Sequence, residues 1–528
     1  MREAAPAAGE DIAALAKGGR TNFLGFLMRL AARLPFLFIA GRIYGAEQLG
    51  RFAYAVLIVE FAAQLATLGL KRGLAQQLAS TDKPHVCVVW DGMLVAFLAS
   101  AVGTVVLAMF PQAMFPNSPI HGLEWMLPLV VFAVAGSDVA LAALAYRHNV
   151  RATVTARAIV EPWTLSIAAF VLSFLSSRDG LIISYVVSMT AAFAASLWPL
   201  FKAYGAPRGW RPDPGALWTM ARRNTPLAAA DAIEWGSRRL DIAILGLFFS
   251  PVIVGVYYVA QQVASLPQKL KTSFDPILGP VITQKLAEGD KKAVAKQVRQ
   301  VGFWIIAAQT GVALALGIPG EAVMGLVGAT FVGGTAALAF LLAAEVVAAT
   351  AAVSEAALVY VARHRNLMIS TLMIIVQGAL SIVLILVLRG LEAPALLVNM
   401  FDLPTNRLPE KFVAAAPAMA LLLALGLASI LKSRLLCRIL GAPVQGWRMP
   451  LIWAAGAAAA VGYLLMLLPP RLEFVELIVG IPAILAVFGI VLWRFGFTHE
   501  DRVLFRRRKD EALEPTLPPP PGASPPAR

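Results

Sequence analysis

The sequence predicts an all-α polytopic membrane protein of about 14 transmembrane helices, built as two parallel-related six-helix lobes plus two extra helices. Three observations predict it. The 528 residues are 59% hydrophobic and 14% charged, with mean hydropathy +0.73, whereas a soluble globular protein carries about 25% charged residues. Apolar runs of about 20 residues, enough to cross a hydrocarbon core of about 30 Å, recur along the whole chain. Lys and Arg alternate in phase with those runs, as the positive-inside rule requires.

In chain order, residues 1–20 are polar and Ala-rich and form a cytoplasmic N-terminus. No short apolar core with a small-residue cleavage site follows, so the first apolar run is read as a membrane helix and not as a cleavable signal. The N-lobe, 21–203, holds spans at 21–43, 52–78, 86–110, 122–146, 153–175 and 180–203. A cytoplasmic linker, 204–222, leads to the C-lobe, 223–436, with spans at 225–249, 253–284, 298–318, 335–361, 366–388 and 412–436. Two further spans, 450–468 and 474–495, occupy 437–495, and 496–528 is a cytoplasmic tail whose end, LEPTLPPPPGASPPAR, is expected as disordered polyproline.

With the N-terminus in the cytoplasm, the cytoplasmic segments hold Lys71, Arg72, Arg147, Arg151, Arg157, Arg222, Arg223, Lys291, Lys292, Arg363, Arg365, Lys432, Arg434 and Arg448, among others. The opposite side holds only Arg42, Arg51, Arg178, Arg389, Arg407, Lys411 and Arg471. The alternation stays in phase to the end, so both termini are cytoplasmic. The net charge of +14 is thereby read as orientation within a membrane, not as a nucleic-acid partner. Cys87 and Cys437 are too few for a disulfide framework or a zinc site.

The most informative stretch is 225–275. Its first helix carries Asp231, Glu234, Arg238 and Asp241, stepping by three, four and three, which places them along one face of a continuous helix. Each such residue costs about 2.5–3.5 kcal/mol near the centre of a membrane helix, so the stripe must face a wet cavity or a packed partner. The bland alternative is an internal ladder of Glu234, Arg238 and Asp241. The same stretch echoes an earlier one. Residues 39–55, IAGRIYGAEQLGRFAYA, return at 244–260 as ILGLFFSPVIVGVYYVA with a constant offset of 205. Gly41 falls on Gly246, Gly50 on Gly255, Tyr44 on Phe249 and Phe52 on Tyr257; upstream, Arg33 falls on Arg238 and Arg29 on Glu234. An even number of spans per repeat makes the halves parallel, with a binding site expected at their interface.

Other polar side chains sit inside the spans. Glu60 and Gln64 lie one turn apart, and Gln261, Ser265, Gln268, Thr272 and Asp275 follow helical spacing beside Lys269 and around Pro267. Asp138, Glu161, Glu345 and Glu355 are single carboxylates for which structural pairing and an ion-coupling role weigh equally, and Asp91 is assigned to a helix end. Glu60, Asp231, Glu234 and Asp241 are the coupling-ion candidates, and Gln64, Gln261, Lys269 and Asp275 the candidates for lining a cavity. No GxxxxGK[ST] loop and no HExxH pattern occurs, and the five histidines lie in loops or at span ends. No catalytic residue, metal ligand or cofactor is therefore assigned, and the chain is not expected to be an enzyme.

Residues 41–73, with Arg42, Gly45, Gly50, Phe52 or Tyr54, and Leu68-Gly69-Leu70, resemble the N-terminal signature of the polysaccharide-biosynthesis membrane proteins, the oligosaccharide (O-antigen type) flippases of the multidrug/oligosaccharidyl-lipid/polysaccharide exporter superfamily. Residues 238–262 resemble the second-half signature through Arg238 or Arg239, Asp241, Gly255 and Tyr257. The resemblance implies a transporter in the bacterial inner membrane that moves a lipid-linked oligosaccharide by alternating access, with polysaccharide-assembly proteins as further partners. The substrate's pyrophosphate suits guanidinium forks. Arg29, Arg33, Arg238 and Arg239 are accordingly assigned to it, Arg238 ahead of Arg239 because it lies on the stripe. A multidrug antiporter of the same superfamily is the first rival, disfavoured by the arginines. A membrane polymerase or ligase is the second, disfavoured by the repeat and by the short outward loop at 389–411.

Overall fold

The computed structural model describes residues 34–120, 122–147, 149–207, 209–272, 282, 285, 286, 288–391, 408–467, 476–498 and 501. Among them the chain is helical without strands, and eleven helices are long and apolar enough to cross a membrane. Lipid-facing surfaces carry Phe97, Val102, Phe174, Leu372 and Ile375 exposed, the reverse of a water-soluble surface.

The first described helix, α1 (34–44), closes in a π-helical turn, Ala40–Tyr44, and hands over to α2, Gly45–Ala66. Gly45 has φ +81°, a conformation that only glycine adopts cheaply. The chain reverses there, and Phe36 on α1 stacks on Phe52 of α2 with ring centroids 5.5 Å apart. This hairpin explains why the expected spans 21–43 and 52–78 appear as one apolar stretch, Leu34–Ser80.

The rest of the first half is α3 (Leu70–Ser80), α4 (His85–Met109), α5 (Val130–Tyr146), α6 (Glu161–Ser173) and α7 (Gly180–Tyr204). Then come α8 (Pro214–Ser237), α9 (Leu240–Phe248), α10 (Pro251–Thr272), α11 (Lys291–Gly317), α12 (Thr335–Val361), α13 (Arg363–Gly390), α14 (Ala416–Leu440), α15 (Met449–Met466) and α16 (Ile481–Phe495).

Two sequence expectations change at α8. The residues given to the linker, 204–222, already include the first turns of this helix, because Asp213 accepts from Gly215 N (3.0 Å) and Ala216 N (3.3 Å) and Pro214 occupies the first turn. Trp210 Nε1 also donates to the buried Asp91 carboxylate at 2.8 Å, which docks the linker on α4. Further on, the expected single span 225–249 breaks at Arg238–Arg239, where Arg239 has φ −130° and ψ 11°. Asp231 and Asp241 therefore sit on separate helices, and the four-residue stripe is not one face. The break, with the polar residues of α10, is why 225–249 and 253–284 are absent from the eleven helices.

The repeat has a structural counterpart. Phe249 and Ser250, the mates of Tyr44 and Gly45, turn α9 into α10. Asp241 and Tyr257, the mates of Phe36 and Phe52, touch in the same way. At the centre α2 packs on α10, and Gly50 faces Gly255: a Cβ on Gly50 would overlap the Pro251 carbonyl, and one on Gly255 the carbonyl of Ala46, itself the mate of Pro251. Two equal helices thus cross about a local two-fold at their glycines, where backbones approach closely because no side chain intervenes.

Apolar packing follows this plan. One buried cluster spans the seam through α2, α9, α10 and α12; a second fills the first half through α3, α4 and α5. A third joins α11, α12 and α14 to α15 and α16, so the two extra helices ride on the second half. On α14, Ala416, Ala420, Ala424 and Ala428 form a stripe of small buried residues. The next step of four is Lys432, 3% exposed, which bonds Glu355 at 2.9 Å and Ser370 Oγ at 2.9 Å. Sequence placed Lys432 in a cytoplasmic segment; instead it is sealed between three helices.

Beyond α16, Asp501 is fully buried. Its carboxylate accepts from Trp304 Nε1 (2.9 Å), Gln300 Nε2 (3.2 Å), Arg448 Nη1 (2.7 Å), and Thr498 N (3.0 Å) and Oγ1 (2.7 Å). Burial alone would raise this carboxyl, but the hydrogen bonds from Arg448 and Thr498 outweigh it and hold it below the usual carboxylate range. A depressed value stabilises the fold above the unfolded pKa of about 3.9 and loses that contribution as pH falls through the folded value. Asp501→Asn is expected to lower the melting temperature at neutral pH. The gap to wild type should close only below about pH 4; thermal melts from pH 3 to 8 check it.

Candidate functional site between the two halves

The site is the seam where α2 and α3 meet α8 and α9. Helix α2 ends at Ala66, and its turn is made by two left-handed residues, Leu68 (φ 46°) and Gly69 (φ 71°). Thr67 Oγ1 donates to Gln64 O at 2.7 Å and fixes the start of that turn. Any Cβ on Gly69 would meet Ala228 N and Asn224 O at 2.6 Å, so the turn lies directly on α8. This brings Lys71 and Arg72, the first polar residues of α3, into the seam.

Among the described residues, two ion pairs cross it. Arg72 Nε lies 2.9 Å from Asp231 Oδ1, joining α3 to α8. Arg239 Nη1 lies 2.8 Å from Glu60 Oε2, joining the α8–α9 break to α2. The polarity is reciprocal: each half gives one guanidinium and one carboxylate. Tyr185 OH donates to Glu60 Oε1 at 3.1 Å, the Arg239 guanidinium stands 4.8 Å from the Trp235 ring centre, and Phe61 stacks against Trp235 at 5.8 Å. The break at 238–239 turns Arg239 toward Glu60 and leaves Arg238 exposed.

A second polar group lies beside the seam in the first half. Asp138 of α5 is bonded by Arg157 and approached by Gln64 Nε2 (3.4 Å) and Lys71 Nζ (3.7 Å). Arg157 Nη1 also bonds Glu161 at 3.1 Å. Sequence placed Arg157 in a cytoplasmic segment. It sits instead in a π-helical turn, Val154–Val160, inside the helix that runs Arg151–Ser173. Such turns cluster at functional sites. The signal for it was legible: Arg157 and Glu161 are spaced i, i+4, with Asp138 in the preceding span. Arg157→Ala is expected to destabilise the protein by about 3 kcal/mol, since two largely buried carboxylates lose the guanidinium they share. Asp138→Asn in the same chain should recover part of the loss in a melting experiment.

A third group is separate. Asp241, 2% exposed, accepts from Tyr257 OH (2.8 Å), Gln261 Nε2 (3.0 Å) and Ile242 N (2.9 Å) between α9 and α10. Of the residues singled out from sequence, Glu60, Gln64, Asp231 and Arg239 gather along the seam, and Asp241 with Gln261 forms its own pair. Arg29, Arg33 and Asp275 lie outside the described residues, as do the side chains of Glu234 and Lys269. Among the described residues no three His, Cys, Asp or Glu side chains cluster as a metal site.

The family described as polysaccharide biosynthesis protein matches this chain over residues 19–285, from the first helix through α10. The chain belongs to that family. Its match takes in every element of the seam. No curated protein matches significantly. Among solved structures, this polysaccharide biosynthesis protein is similar to the lipid II flippase MurJ in an inward closed conformation, with TM-score 0.65 at 11% identity over 89% of this chain and 99% of that one. It is similar to an inward-facing multidrug resistance MATE family transporter of the MOP superfamily, with TM-score 0.57 at 14% identity over 79% and 98%. The MATE transporter VcmN of Vibrio cholerae gives TM-score 0.51 at 13% identity over 81% and 98%. At these identities the likeness is one of fold alone.

Proposed function

We propose that this chain flips a polyprenyl-pyrophosphate-linked oligosaccharide across a bacterial inner membrane by alternating access of its two halves, with both termini cytoplasmic and the Gly45 turn facing outward. The observation that carries the reading is the reciprocal pair Arg72–Asp231 and Arg239–Glu60 across the seam. A diphosphate competes with each carboxylate for its guanidinium, because phosphate oxygens fit the same fork with more charge. Substrate binding then unties the halves that the carboxylates held together, which links occupancy to movement. Arg238, exposed beside Arg239, is a further cation for the anionic headgroup, and Arg29 and Arg33 keep the same assignment by the repeat. Asp241 is the coupling-ion acceptor we favour, with Glu60 and Asp231 alternating between ion coupling and the seam.

The test is reconstitution of the full chain in vesicles with a fluorescent polyprenyl-diphosphate glycan. Flipping into a reductant-protected leaflet is expected, and its absence, with normal insertion, ends the proposal. The likeness to MATE transporters favours a second reading, export of a cationic drug, for which the seam carboxylates would be the binding groups. Drug efflux that is lost in Glu60→Gln and kept in Arg239→Ala would select it.

A further inference from the structure

Beside the Arg239–Glu60 pair the seam carries an aromatic surface. Trp235, one turn before Arg239 in α8, has its ring centre 5.8 Å from that of Phe61, with the planes inclined by 35°. Phe61 follows Glu60 in α2. The Arg239 guanidinium lies 4.8 Å from the same indole. This surface is not sealed. Phe61 is 36% exposed, Trp235 is half-buried, and the side chains of Arg239 and Glu60 keep 41% and 22% of their surface open. A charge facing hydrocarbon on a membrane-crossing helix costs about 2.5–3.5 kcal/mol, so an ion pair this open faces water. The two rings next to it face the same aqueous gap.

The mix of groups decides what such a surface binds. Rings alone would suit an isoprenoid chain. Here a carboxylate edges them, its Oε1 accepting from Tyr185 OH at 3.1 Å and its Oε2 held by Arg239 at 2.8 Å. A pyranose matches both parts. The slightly positive hydrogens of its C–H face lie against the negative face of an aromatic ring, and its hydroxyls donate to a carboxylate. A diphosphate that draws Arg239 away uncovers the indole and frees Glu60 Oε2 in one movement. The sugar joined to that diphosphate then meets a bare ring and an open acceptor, while Tyr185 still holds the other oxygen.

We infer that Trp235, Phe61 and Glu60 form the subsite for the first sugar of the transported lipid, the one bonded to its diphosphate, with Trp235 stacking on the sugar ring and Glu60 accepting from its hydroxyls. The inference rests on the flippase reading, whose diphosphate step it extends to the glycan.

The test titrates the full chain in phosphatidylcholine nanodiscs with farnesyl diphosphate and with its glucosyl, galactosyl and N-acetylglucosaminyl esters. Wild type is expected to bind at least one ester about tenfold or more tighter than the sugarless diphosphate, the worth of one ring contact and one charge-assisted hydrogen bond. Trp235→Ala is expected to bring that ratio to about one, by weakening the ester more than the sugarless ligand. Trp235→Leu keeps apolar bulk at the position without the flat face, and should do the same. Arg239→Ala is expected to weaken every ligand. Equal binding of all the ligands by wild type overturns the sugar subsite and leaves the diphosphate step standing. A folded Trp235→Leu that keeps the ratio does so too, since the indole then serves only to support Arg239. A wild type that binds none of the ligands, or Arg239→Ala with wild-type affinity for the sugarless one, overturns the diphosphate step and the subsite with it.

Discussion

Arg239→Ala is expected to reduce glycan transport by at least about tenfold, while the protein still inserts and folds. Arg239 sits at the break between α8 and α9, 2.8 Å from Glu60 and against Trp235. Its side chain remains 41% exposed, so solvent screens the pair and the cost to stability stays below about 1 kcal/mol. The effect falls instead on the step in which an anionic headgroup replaces Glu60. Lys at 239 restores charge without the two-pronged geometry, so Arg239→Lys should recover only part of the rate. The measurement is the lipid-linked glycan left on the cytoplasmic leaflet of cells expressing each variant at equal level. Normal clearance in Arg239→Ala would remove this side chain from the substrate path.

Gly50→Ala is the second large effect, and it acts on conformation. The added methyl overlaps the Pro251 carbonyl, which is backbone and cannot rotate away. Overpacking of this kind costs about 1–3 kcal/mol, a shift of roughly 5–150-fold in a two-state ratio. The halves should part at the Gly45 end. A cysteine placed at Ser118, which with Gly50, Phe249 and Pro251 lines a narrow crevice at that end of the crossing, should then label faster with a membrane-impermeant thiol reagent added from outside. Gly255→Ala should act alike, because its methyl overlaps the Ala46 carbonyl. Unchanged labelling in both would mean that the glycine crossing does not hold the seam shut.

The fold was largely legible in the chain because its signals are local or periodic. Span length, the phase of basic residues and the repeat each need only neighbouring sequence, and Glu60, Gln64 and Asp241 stood out as polar residues in apolar runs. What could not be read depends on contacts between distant segments. The α8–α9 break has no proline at Arg238–Arg239, and the Arg239–Glu60 pair found there joins segments far apart in the chain. The preference for Arg238 assumed one unbroken helix and so picked the neighbour of the paired residue. Arg157 and Lys432 looked like loop charges because both lie near span ends; the i, i+4 spacing pointed Arg157 at Glu161, and the packing of α5 and α12 adds Asp138 and Glu355. The contacts of Arg51 were equally hidden, since nothing local says that Glu124 and Pro119 close over it.

The repeat also differs from itself in one telling way. At equivalent positions, one copy joins two phenyl rings, Phe36 and Phe52, and the other joins an acid to a phenol, Asp241 and Tyr257. The crossing glycines, Gly50 and Gly255, are alike in the two copies, while this pair is apolar in one and titratable in the other. Under the coupling role proposed for Asp241, protons or cations would enter through one copy only, and the working cycle would not be mirror-fair between its two arms.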